Sequence, residues 1–559
     1  MSGASGVSGA PPRPADFRGA FRTDDAARGA YAEAAGIGRS MPRGVAVPVD
    51  ADDAAALVRW AHATGTPLVP RGAGSSMAGG AIGDGVIVDL SRMDAIGPVD
   101  GDARRVRAGP GAARAAVDRA ARAVGLRFPP DPSSGAYCTV GGMAATNAAG
   151  AHTLRFGAMR PWVTALDCVL DDGTRALVRR GAPPPADAPA IARFLRDAQP
   201  RLRAPSDEPL AHAGLRKDSS GYAIAEYARS GELVDLLVGS EGTLALFTGL
   251  ELALIPAPGA TSSVLAAFDT LEQAVAAATA ARDAGASACE LLDRTFLDVA
   301  REGGHARGVP ESTEGVLLAE VEGDDATDAS GAARALERTF HAHGATTVRL
   351  AFDPGAEHAL WELRHAASPI LSRLAPTLAS MQFIEDGAVP PDRLPDYVRG
   401  VRAALARQGI RGVIFGHAGD APVHVNPLVD VARPDWRASI EALLDEVTEL
   451  AARLGGTLAG EHGDGRLRTP LMARTWGAEA RARFAVVKRA FDPTGILNPG
   501  VKVSLAGQRA IGDVKYDPML APLPAASQRV LARVAAERAY GRSRLEMLEE
   551  PGLGTGDSG

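Results

Sequence analysis

Two short polar clusters in the C-terminal half of the chain contain the residues best suited to catalytic or metal chemistry. The first, FGHAGDAPVHVNP, contains His417, His424 and Asn426, and the second, GEHGDGR, adds Glu461 and His462. Neutral imidazoles together with a carboxylate form a ligand set that suits zinc, manganese or iron. Because His-x6-His is not a standard metal motif, the spacing alone leaves open a purely structural role for these histidines.

The pattern of the first cluster predicts a β-hairpin. His424 and Asn426 alternate with Val423 and Val425, and a strand directs alternate side chains to opposite faces. With FGH and VHVN as the two strands and HAGDA at the turn, His417 and the polar pair are expected to face one pocket.

A glycine-rich loop over 71–80 lies between two β-type runs, PLVP and VIVDL. Glycines allow successive backbone N–H groups to turn toward an anion, which predicts a phosphate-binding nest. The loop lacks both the Rossmann pattern, since Met77 stands at the last glycine position, and the GK[ST] of a Walker loop. An ordinary flexible loop is the alternative.

Local patterns predict the remaining elements. The segment 128–157 is rich in small residues and has no helical or strand periodicity, so we expect a long functional loop against a flat ligand. We also expect lead-in helices from 17 to Pro42 followed by a short strand over 44–48, two strands around 240–243, a strand over 381–390 and one helix near 527–550.

Composition limits the class of protein. The 559 residues are too many for one core, so we expect two or three domains. A net charge of −7 without a long basic block disfavours nucleic acid as a partner. Three scattered cysteines without CxxC disfavour disulfides and an iron–sulfur cluster. No apolar run is long enough to predict a transmembrane helix. Residues 1–16 and 552–559 are expected to be disordered. We expect a cytoplasmic protein, with peripheral association at the inner membrane face left open.

Seven motifs occur in the order of one flavoprotein family. They are PRGAGSS, TVGGMAATNAAG, GSEGTLAL, WELR, GHAGDAPVHVNP, GEHGDGR and ILNPG. In these motifs the chain resembles the vanillyl-alcohol-oxidase/p-cresol-methylhydroxylase flavoproteins, in the branch of FAD-linked D-2-hydroxy-acid dehydrogenases that act on D-lactate, glycolate or D-2-hydroxyglutarate. The resemblance is closest to the flavin half of large bacterial members that also carry an iron–sulfur domain, although this chain has no cysteine-rich half.

The resemblance implies an α+β fold. It predicts a two-subdomain FAD-binding domain over 41–258 and a substrate-binding cap domain of antiparallel sheet and helices, with the metal site, over 259–475. Residues 476–503 would return to the FAD domain. Residues 1–40 would be a disordered tail with lead-in helices, and 504–559 a tail with one helix.

The resemblance also implies the residues that hold FAD. The loop would bind the pyrophosphate, the small-residue segment would line the isoalloxazine and ribityl chain, Glu241 and Gly242 would approach the adenine, and Asn498 the flavin edge. The loop and segment residues are Arg71, Gly72, Ala73, Gly74, Ser75, Ser76, Thr139, Gly141, Gly142, Asn147 and Gly150. Covalent relatives often carry histidine where this chain has Ser75, so the FAD is expected to be non-covalent.

For catalysis, the resemblance implies that Arg364 in WELR fixes the substrate carboxylate and that His462 removes the hydroxyl proton. His417, His424 and Glu461 would hold a divalent metal, with zinc first and manganese or iron as alternatives. Asn426 would bind the substrate or orient a ligand.

One position departs from the family pattern. Many relatives have a lysine in the strand before the proline at 390, where this chain has Glu385 and Asp386. These acids disfavour a second substrate carboxylate unless a metal or an arginine such as Arg466 offsets them. Ser368 is a further candidate for substrate contact.

The expected reaction is oxidation of a D-2-hydroxy acid, such as D-lactate or D-2-hydroxyglutarate, to the 2-oxo acid. Electrons would pass to a quinone, a cytochrome, or a separate iron–sulfur or flavoprotein carrier. A flavin oxidase that uses oxygen and a non-catalytic FAD-binding subunit of a larger complex are the alternatives, and a homodimer is a further expectation.

Overall fold

A computed structural model of the protein describes residues 11–365, 377–420 and 422–550. The disorder expected for 1–10 and 552–559, and the substrate contact expected of Ser368, lie outside the described residues. Residues 11–16 lack regular secondary structure, but they are attached to the fold, because Arg13 donates a hydrogen bond of 2.9 Å to the Phe17 carbonyl.

The N-terminal part contains two four-stranded sheets and a short pair. The first sheet has the order β1-β2-β4-β3, with parallel pairing of β4 to both β2 and β3. Its strands are β1 (Ala20–Arg22), β2 (Gly44–Val47), β3 (Leu68–Arg71) and β4 (Val86–Asp89). The second sheet is antiparallel with the order β5-β9-β7-β8, and β6 pairs with β10. These strands are β5 (Arg105–Ala108), β6 (Leu126–Arg127), β7 (Val163–Val169), β8 (Arg175–Arg179), β9 (Leu246–Ala253) and β10 (Ile255–Pro256).

The central part is an eight-stranded antiparallel sheet with the order β14-β11-β13-β12-β17-β18-β15, in which β16 also pairs with β18. Its strands are β11 (Ala260–Phe268), β12 (Ala288–Asp293), β13 (Gly315–Gly323), β14 (Thr347–Ala351), β15 (Leu378–Ser380), β16 (Gly387–Ala388), β17 (Arg411–His417) and β18 (Pro422–Asp430). The predicted hairpin is therefore confirmed as β17–β18. Val423 and Val425 pack in a core cluster on the opposite face from His424.

Helices cover the sheets. Those before the central sheet are Asp25–Ala30, Ala51–Thr64, Arg114–Arg122, Val140–Thr146, Thr153–Phe156, Pro189–Arg193, Gln199–Arg203, Ile224–Ser230 and Leu233–Leu237. Those within and after it are Leu271–Asp283, Arg294–Glu302, Ala326–Ala342, Pro354–His365, Leu394–Arg407, Trp436–Arg453, Gly465–Arg468, Met472–Thr475, Ala478–Phe491, Ala525–Glu537 and Arg544–Glu549. None of the helices among the described residues has the length and hydropathy needed to span a bilayer.

The predicted loop over 128–157 was partly wrong, because it contains the helix Val140–Thr146. The Thr139 side chain caps the first turn by accepting from the Gly142 N–H, and Asn147 ends the helix in the left-handed region with φ 53°. These local caps and burial stabilise a helix that small residues do not reveal by periodicity.

Four other local predictions were wrong. The apolar run before 240 forms the helix Leu233–Leu237 rather than a strand. Residues 17–42 form β1 and the single helix Asp25–Ala30 rather than several lead-in helices, whereas the strand predicted over 44–48 is confirmed as β2. The segment 381–390 contributes only β16, because Glu385 and Asp386 bind groups of the 460–468 segment instead of continuing a strand. Two helices replace the one predicted near 527–550, because Arg538 adopts φ 52° between them.

A buried charge cluster attaches residues 492–503 to the N-terminal part. Lys502 is fully buried, and its ammonium group lies 3.0 Å from both the Glu241 and the Asp464 carboxylates. It also donates to the Ser219 carbonyl at 2.6 Å. Burial lowers the pKa of Lys502, but the two carboxylates outweigh this effect and raise it. The cation is therefore retained at neutral pH.

Replacing this lysine by an apolar residue tests the cluster. Lys502→Met leaves two buried carboxylates without their cation, and we expect the free energy of unfolding to fall by about 3–5 kcal/mol. Urea denaturation followed by circular dichroism measures the change. As a control, Arg509→Met removes an exposed ion pair with Glu441. It should lower the free energy of unfolding by less than about 1 kcal/mol. Equal losses in the two variants would contradict a structural role for the buried cluster.

Candidate active site

A cavity of about 1050 Å³ lies between the loops of the N-terminal part and the central sheet. One wall consists of the glycine-rich loop after β3 and of the segment around the helix Val140–Thr146. The opposite wall carries the polar side chains of the central sheet. The fold thus brings the predicted cofactor segments and most of the predicted catalytic residues to one space.

The glycine-rich loop has free hydrogen-bonding groups. Within the described residues, the backbone N–H groups of 72–76 donate to no protein acceptor, and the buried Ser76 hydroxyl has no partner. Gly74 has φ 70°, which favours glycine there. Unpaired N–H groups and a buried hydroxyl fit the phosphate oxygens of a dinucleotide.

Arg71 supports this loop from beneath. Its guanidinium donates to the carbonyls of Tyr31, Ala81 and Glu33, at 3.4, 3.2 and 2.9 Å. Burial lowers its pKa to about 9. Its bonds to carbonyls position the loop. Arg71 also lines the cavity, and its contact with the pyrophosphate stays a prediction.

The small-residue wall approaches the loop closely. Thr139, Gly141, Gly142 and Gly150 all line the cavity. A Cβ on Gly72 would lie 2.2 Å from the Thr139 hydroxyl oxygen. Glycine at 72 therefore allows the two cofactor segments to touch.

The structure places other predicted cofactor residues differently. Asn147 and Asn498 are not among the residues that line the cavity. The Asn147 amide oxygen accepts from the Arg160 N–H, and the Asn498 amide donates to two backbone carbonyls. Both amides therefore bond within the protein, and their contacts with the flavin stay predictions. Glu241 and Gly242 line the cavity, but the Glu241 carboxylate binds Lys502 and two backbone N–H groups.

Gly72→Ala tests the contact between the two cofactor segments. The added methyl group must displace Thr139, and we expect a destabilisation of about 1–3 kcal/mol. The purified variant should also retain less flavin, measured as absorbance near 450 nm relative to protein. Gly101→Ala is the control, since a Cβ there meets nothing within 4 Å. Full flavin content in Gly72→Ala would contradict the close approach.

Three ligand-type atoms converge at the other end of the cavity. The Glu461 Oε1 atom lies 3.3 Å from His417 Nε2 and 3.2 Å from His424 Nε2, and the two Nε2 atoms are 3.4 Å apart. Metal–ligand bonds of about 2.0–2.2 Å place neighbouring ligands about 3.0–3.4 Å apart. The three distances agree with this spacing.

Hydrogen bonds orient both imidazoles. His424 Nδ1 lies 2.7 Å from the Glu385 carbonyl oxygen, which can only accept, so this nitrogen carries a proton. His417 Nδ1 is bonded to the Glu290 carboxylate and also donates. In neutral imidazoles both Nε2 atoms then present lone pairs. Because these lone pairs and the Glu461 oxygen would repel one another, the residues fit a bound cation.

Buried charges set the electrostatics of this group. Burial lowers the pKa of His417, but the Glu290 carboxylate outweighs this effect and raises it to about 9. Burial raises the pKa of the Glu461 carboxyl, while Lys217 and His417 hold it well below its usual range. Lys217 donates to Glu461 Oε2 at 3.0 Å. Glu461 is therefore ionised, with Oε1 directed at the histidines.

A second set of possible ligands overlaps the first. Ligand atoms of Asp386, His424, Glu461 and His462 all lie within 4.8 Å of one another. However, Asp386 accepts from Arg468 and from the N–H groups of Glu461 and His462. These bonds occupy Asp386, so the set that includes His417 is the better candidate.

His462 lies beside the trio and is partly exposed to the cavity. Its ring stacks on that of His424 with 5.4 Å between centroids, and its Nδ1 lies 3.1 Å from the Glu385 carboxylate. Its Nε2 is 3.7 Å from Glu461 Oε1. Burial lowers the pKa of His462, but Asp386 and Glu385 raise it to about 9.

Arg364 reaches the same end of the cavity from the helix Pro354–His365. Its Nε donates to Glu290 Oε2 at 2.8 Å, and the guanidinium lies 4.3 Å from the centre of the Phe415 ring. Glu290 thus connects Arg364 to His417. Asn426 also lines the cavity and is half-buried.

The comparisons identify the family. Residues 42–178 match the family described as FAD binding domain, and 257–501 match FAD linked oxidases, C-terminal domain. Glycolate oxidase subunit GlcD of Bacillus subtilis is 30% identical over 468 residues, covering 83% of this chain and 89% of that protein. The chain belongs to the FAD-linked oxidases. The prediction of this flavoprotein family and of its cofactor class is confirmed.

Other relatives and solved structures agree with this assignment. The D-lactate dehydrogenase of Archaeoglobus fulgidus is 29% identical, covering 82% of this chain and 90% of that protein. The D-2-hydroxyglutarate dehydrogenase of Pseudomonas putida is 30% identical, covering 87% of this chain and 51% of that protein. The structure of 4-ethylphenol oxidase from Gulosibacter chungangensis matches with a TM-score of 0.65 at 17% identity, covering 86% and 94% of the two chains. The predicted α+β fold of vanillyl-alcohol-oxidase type is confirmed.

The sequence prediction missed several residues of this FAD-linked oxidase. Glu290 lies on β12, a strand that was not predicted, and Lys217 lies far from the other motifs. The arginine that offsets Glu385 and Asp386 is Arg468 rather than the proposed Arg466, because Arg468 bonds to both carboxylates. Arg466 instead donates to Asn498 and to backbone carbonyls. A buried acidic pair calls for a nearby cation, but only the fold shows which one supplies it.

Proposed function

We propose that this protein oxidises a D-2-hydroxy acid to the corresponding 2-oxo acid with non-covalent FAD and a divalent metal, zinc first with manganese or iron as alternatives. One observation carries the proposal. His417, His424 and Glu461 converge beside His462 and Arg364 in the same cavity that the cofactor segments line. The relatives are named glycolate oxidase subunit, D-lactate dehydrogenase and D-2-hydroxyglutarate dehydrogenase, and these names support 2-hydroxy acids as the substrate class.

Arg364 is the proposed carboxylate anchor. Glu290 binds its Nε and the Phe415 ring lies 4.3 Å from it, so the guanidinium is oriented, and its terminal nitrogens have no protein partner within the described part of the chain. A planar, bidentate donor suits the carboxylate of a hydroxy acid. Asn426 is the proposed partner of a second substrate oxygen.

His462 is the proposed base. Its Nδ1–H donates to Glu385, so in the neutral ring, which forms as the pH rises toward its pKa of about 9, Nε2 accepts the proton of the substrate hydroxyl group. His462 stacks on His424, which keeps its ring next to the trio.

The two bound groups supply the rest of the chemistry. A divalent cation held by His417, His424 and Glu461 would lower the pKa of the substrate hydroxyl group. FAD held by the 72–76 loop and the small-residue wall would supply the two-electron acceptor for the hydride from C2.

Several classes of electron acceptor are proposed. A quinone, a cytochrome or a separate iron–sulfur or flavoprotein carrier would reoxidise the flavin, and oxygen is the alternative for an oxidase. The Bacillus subtilis relative is named a glycolate oxidase subunit, which favours the second candidate, an FAD-binding subunit of a larger complex. A homodimer and a cytoplasmic location, with contact to the inner membrane face, remain predictions.

Anaerobic addition of D-lactate, glycolate or D-2-hydroxyglutarate to the purified protein tests the reaction. We expect the visible flavin absorbance to bleach with at least one of these acids and to persist with the L-enantiomer of lactate. Bound flavin that no hydroxy acid reduces would favour the non-catalytic subunit. A protein that cannot be reconstituted with FAD would overturn the proposal.

His462→Asn tests the base in the same assay. Loss of the proton acceptor should slow flavin reduction by about 10²- to 10⁴-fold. The control is His358→Asn, because His358 is exposed and its recorded ion pair is only with Glu362. Equal rates in the two variants would reject His462 as the base.

Metal analysis tests the trio separately. His424→Ala should remove the metal, and Glu290→Gln, which alters the orientation of His417, should weaken metal affinity by about 10- to 100-fold. Elemental analysis after dialysis measures both effects. Glu302→Gln changes an exposed glutamate that pairs with Arg411 and should leave the metal content unchanged. Full metal content in His424→Ala would reject this residue as a ligand.

A further inference from the structure

Residues at the two ends of the chain pack together outside the family matches, which begin at 42 and end at 501. We call residues 11–41 and 504–550 the terminal layer. Its helices Asp25–Ala30, Ala525–Glu537 and Arg544–Glu549 share one apolar core with the first sheet. That core contains Ala27, Ala30, Tyr31, Val45, Val47, Val69, Ile87, Val530, Val534, Leu545, Met547 and Leu548.

A buried arginine and a half-buried lysine of the C-terminal segment hold the N-terminal segment in place. Arg544, only 3% exposed, donates to the Ala30 carbonyl at 2.7 Å. Lys515 donates to the carbonyls of Ala34 and Ala35, each at 3.1 Å. Ala35 itself lines the cavity. The C-terminal segment therefore positions part of the cavity wall.

The same N-terminal segment is bonded to the glycine-rich loop. The Ala35 N–H donates to the Gly74 carbonyl at 3.0 Å, and the Gly36 N–H donates to the Ser76 carbonyl at 3.3 Å. These bonds fix the carbonyl side of the loop and leave its N–H groups for a ligand.

The C-terminal segment also reaches the cavity directly, through Ala535, Arg538 and Tyr540. The helix Ala525–Glu537 ends at Arg538, whose φ of 52° turns the chain back. Tyr540 then packs against Tyr137, another lining residue, with 5.0 Å between ring centroids and 31° between planes. The rings of Tyr137 and Tyr540 thus form part of the cavity wall.

Arg538 adds a cation to this wall. Its side chain is exposed, and among the described residues it has no recorded hydrogen bond or ion pair. An uncommitted guanidinium beside aromatic rings suits a ligand that combines a planar ring with anionic groups. A flavin dinucleotide has both features.

We propose that the terminal layer is a wall of the cofactor site, in which Tyr540 and Arg538 contact FAD and slow its release. The inference rests on the proposed binding of non-covalent FAD and assigns cofactor retention to residues beyond the family matches.

The test uses the full chain loaded with FAD. Tyr540→Ala and Arg538→Ala should each raise the Kd for FAD by about three- to tenfold, measured by flavin fluorescence on titration of the apoprotein. Tyr540→Phe keeps the ring and should retain wild-type affinity. Arg542→Ala is the matched control, because Arg542 is an exposed arginine of the same segment that pairs with Glu550 away from the cavity. Thermal unfolding of each apoprotein checks that the variants are folded.

The outcomes separate this inference from the proposed function. Weaker FAD binding in Tyr540→Ala and Arg538→Ala, with unchanged binding in Tyr540→Phe and Arg542→Ala, supports the wall. If the wild type binds FAD and the alanine variants bind it equally well, the inference is overturned and the proposed function stands. A wild-type protein that binds no FAD would overturn both.

Discussion

The convergence of three electron-rich atoms within 3.2–3.4 Å is the constraint on which the rest of the site depends. With both imidazoles neutral, the two nitrogens and the carboxylate oxygen repel each other unless positive charge lies among them, supplied by a metal ion or by the proton that His417 holds below its pKa of about 9. The surrounding protein does not relieve this repulsion by turning the rings, because the Glu290 carboxylate and the Glu385 carbonyl hold both Nδ1 atoms. The fold therefore maintains an arrangement that favours a cation.

Buried carboxylates recur throughout this end of the molecule, and each is matched by a cation from a different segment. Lys217 forms an ion pair with Glu461, and Arg468 pairs with Glu385 and Asp386. Lys502 pairs with Glu241 and Asp464. Removing one partner of such a pair lowers the free energy of unfolding by more than the intact pair contributes to it, because the remaining charge is buried without a partner. These pairs therefore connect distant parts of the chain around the cavity and make the site depend on correct assembly of both walls.

The flavin side depends on close backbone approach rather than on charge. Gly72 lies against Thr139, and a left-handed Gly74 directs the loop so that its N–H groups are free. The terminal layer supports this loop through the carbonyls of Gly74 and Ser76. The conformation of the proposed cofactor loop and the packing of the two chain ends are thus physically coupled.

The sequence by itself determined the family, the glycine-rich loop after β3, the β17–β18 hairpin and the polar clusters, because these depend on local patterns. Alternation of His424 and Asn426 with two valines indicates a strand, and glycines after β3 indicate an anion-binding loop. Local pattern failed for the helix Val140–Thr146, whose caps and burial outweigh its weak periodicity. Only the tertiary structure decided the partners: Glu290 for His417 and Arg364, Arg468 rather than Arg466 for the acidic pair, and Tyr540 for Tyr137. These pairs join residues far apart in the chain, and no local spacing specifies which buried charge or ring will meet which.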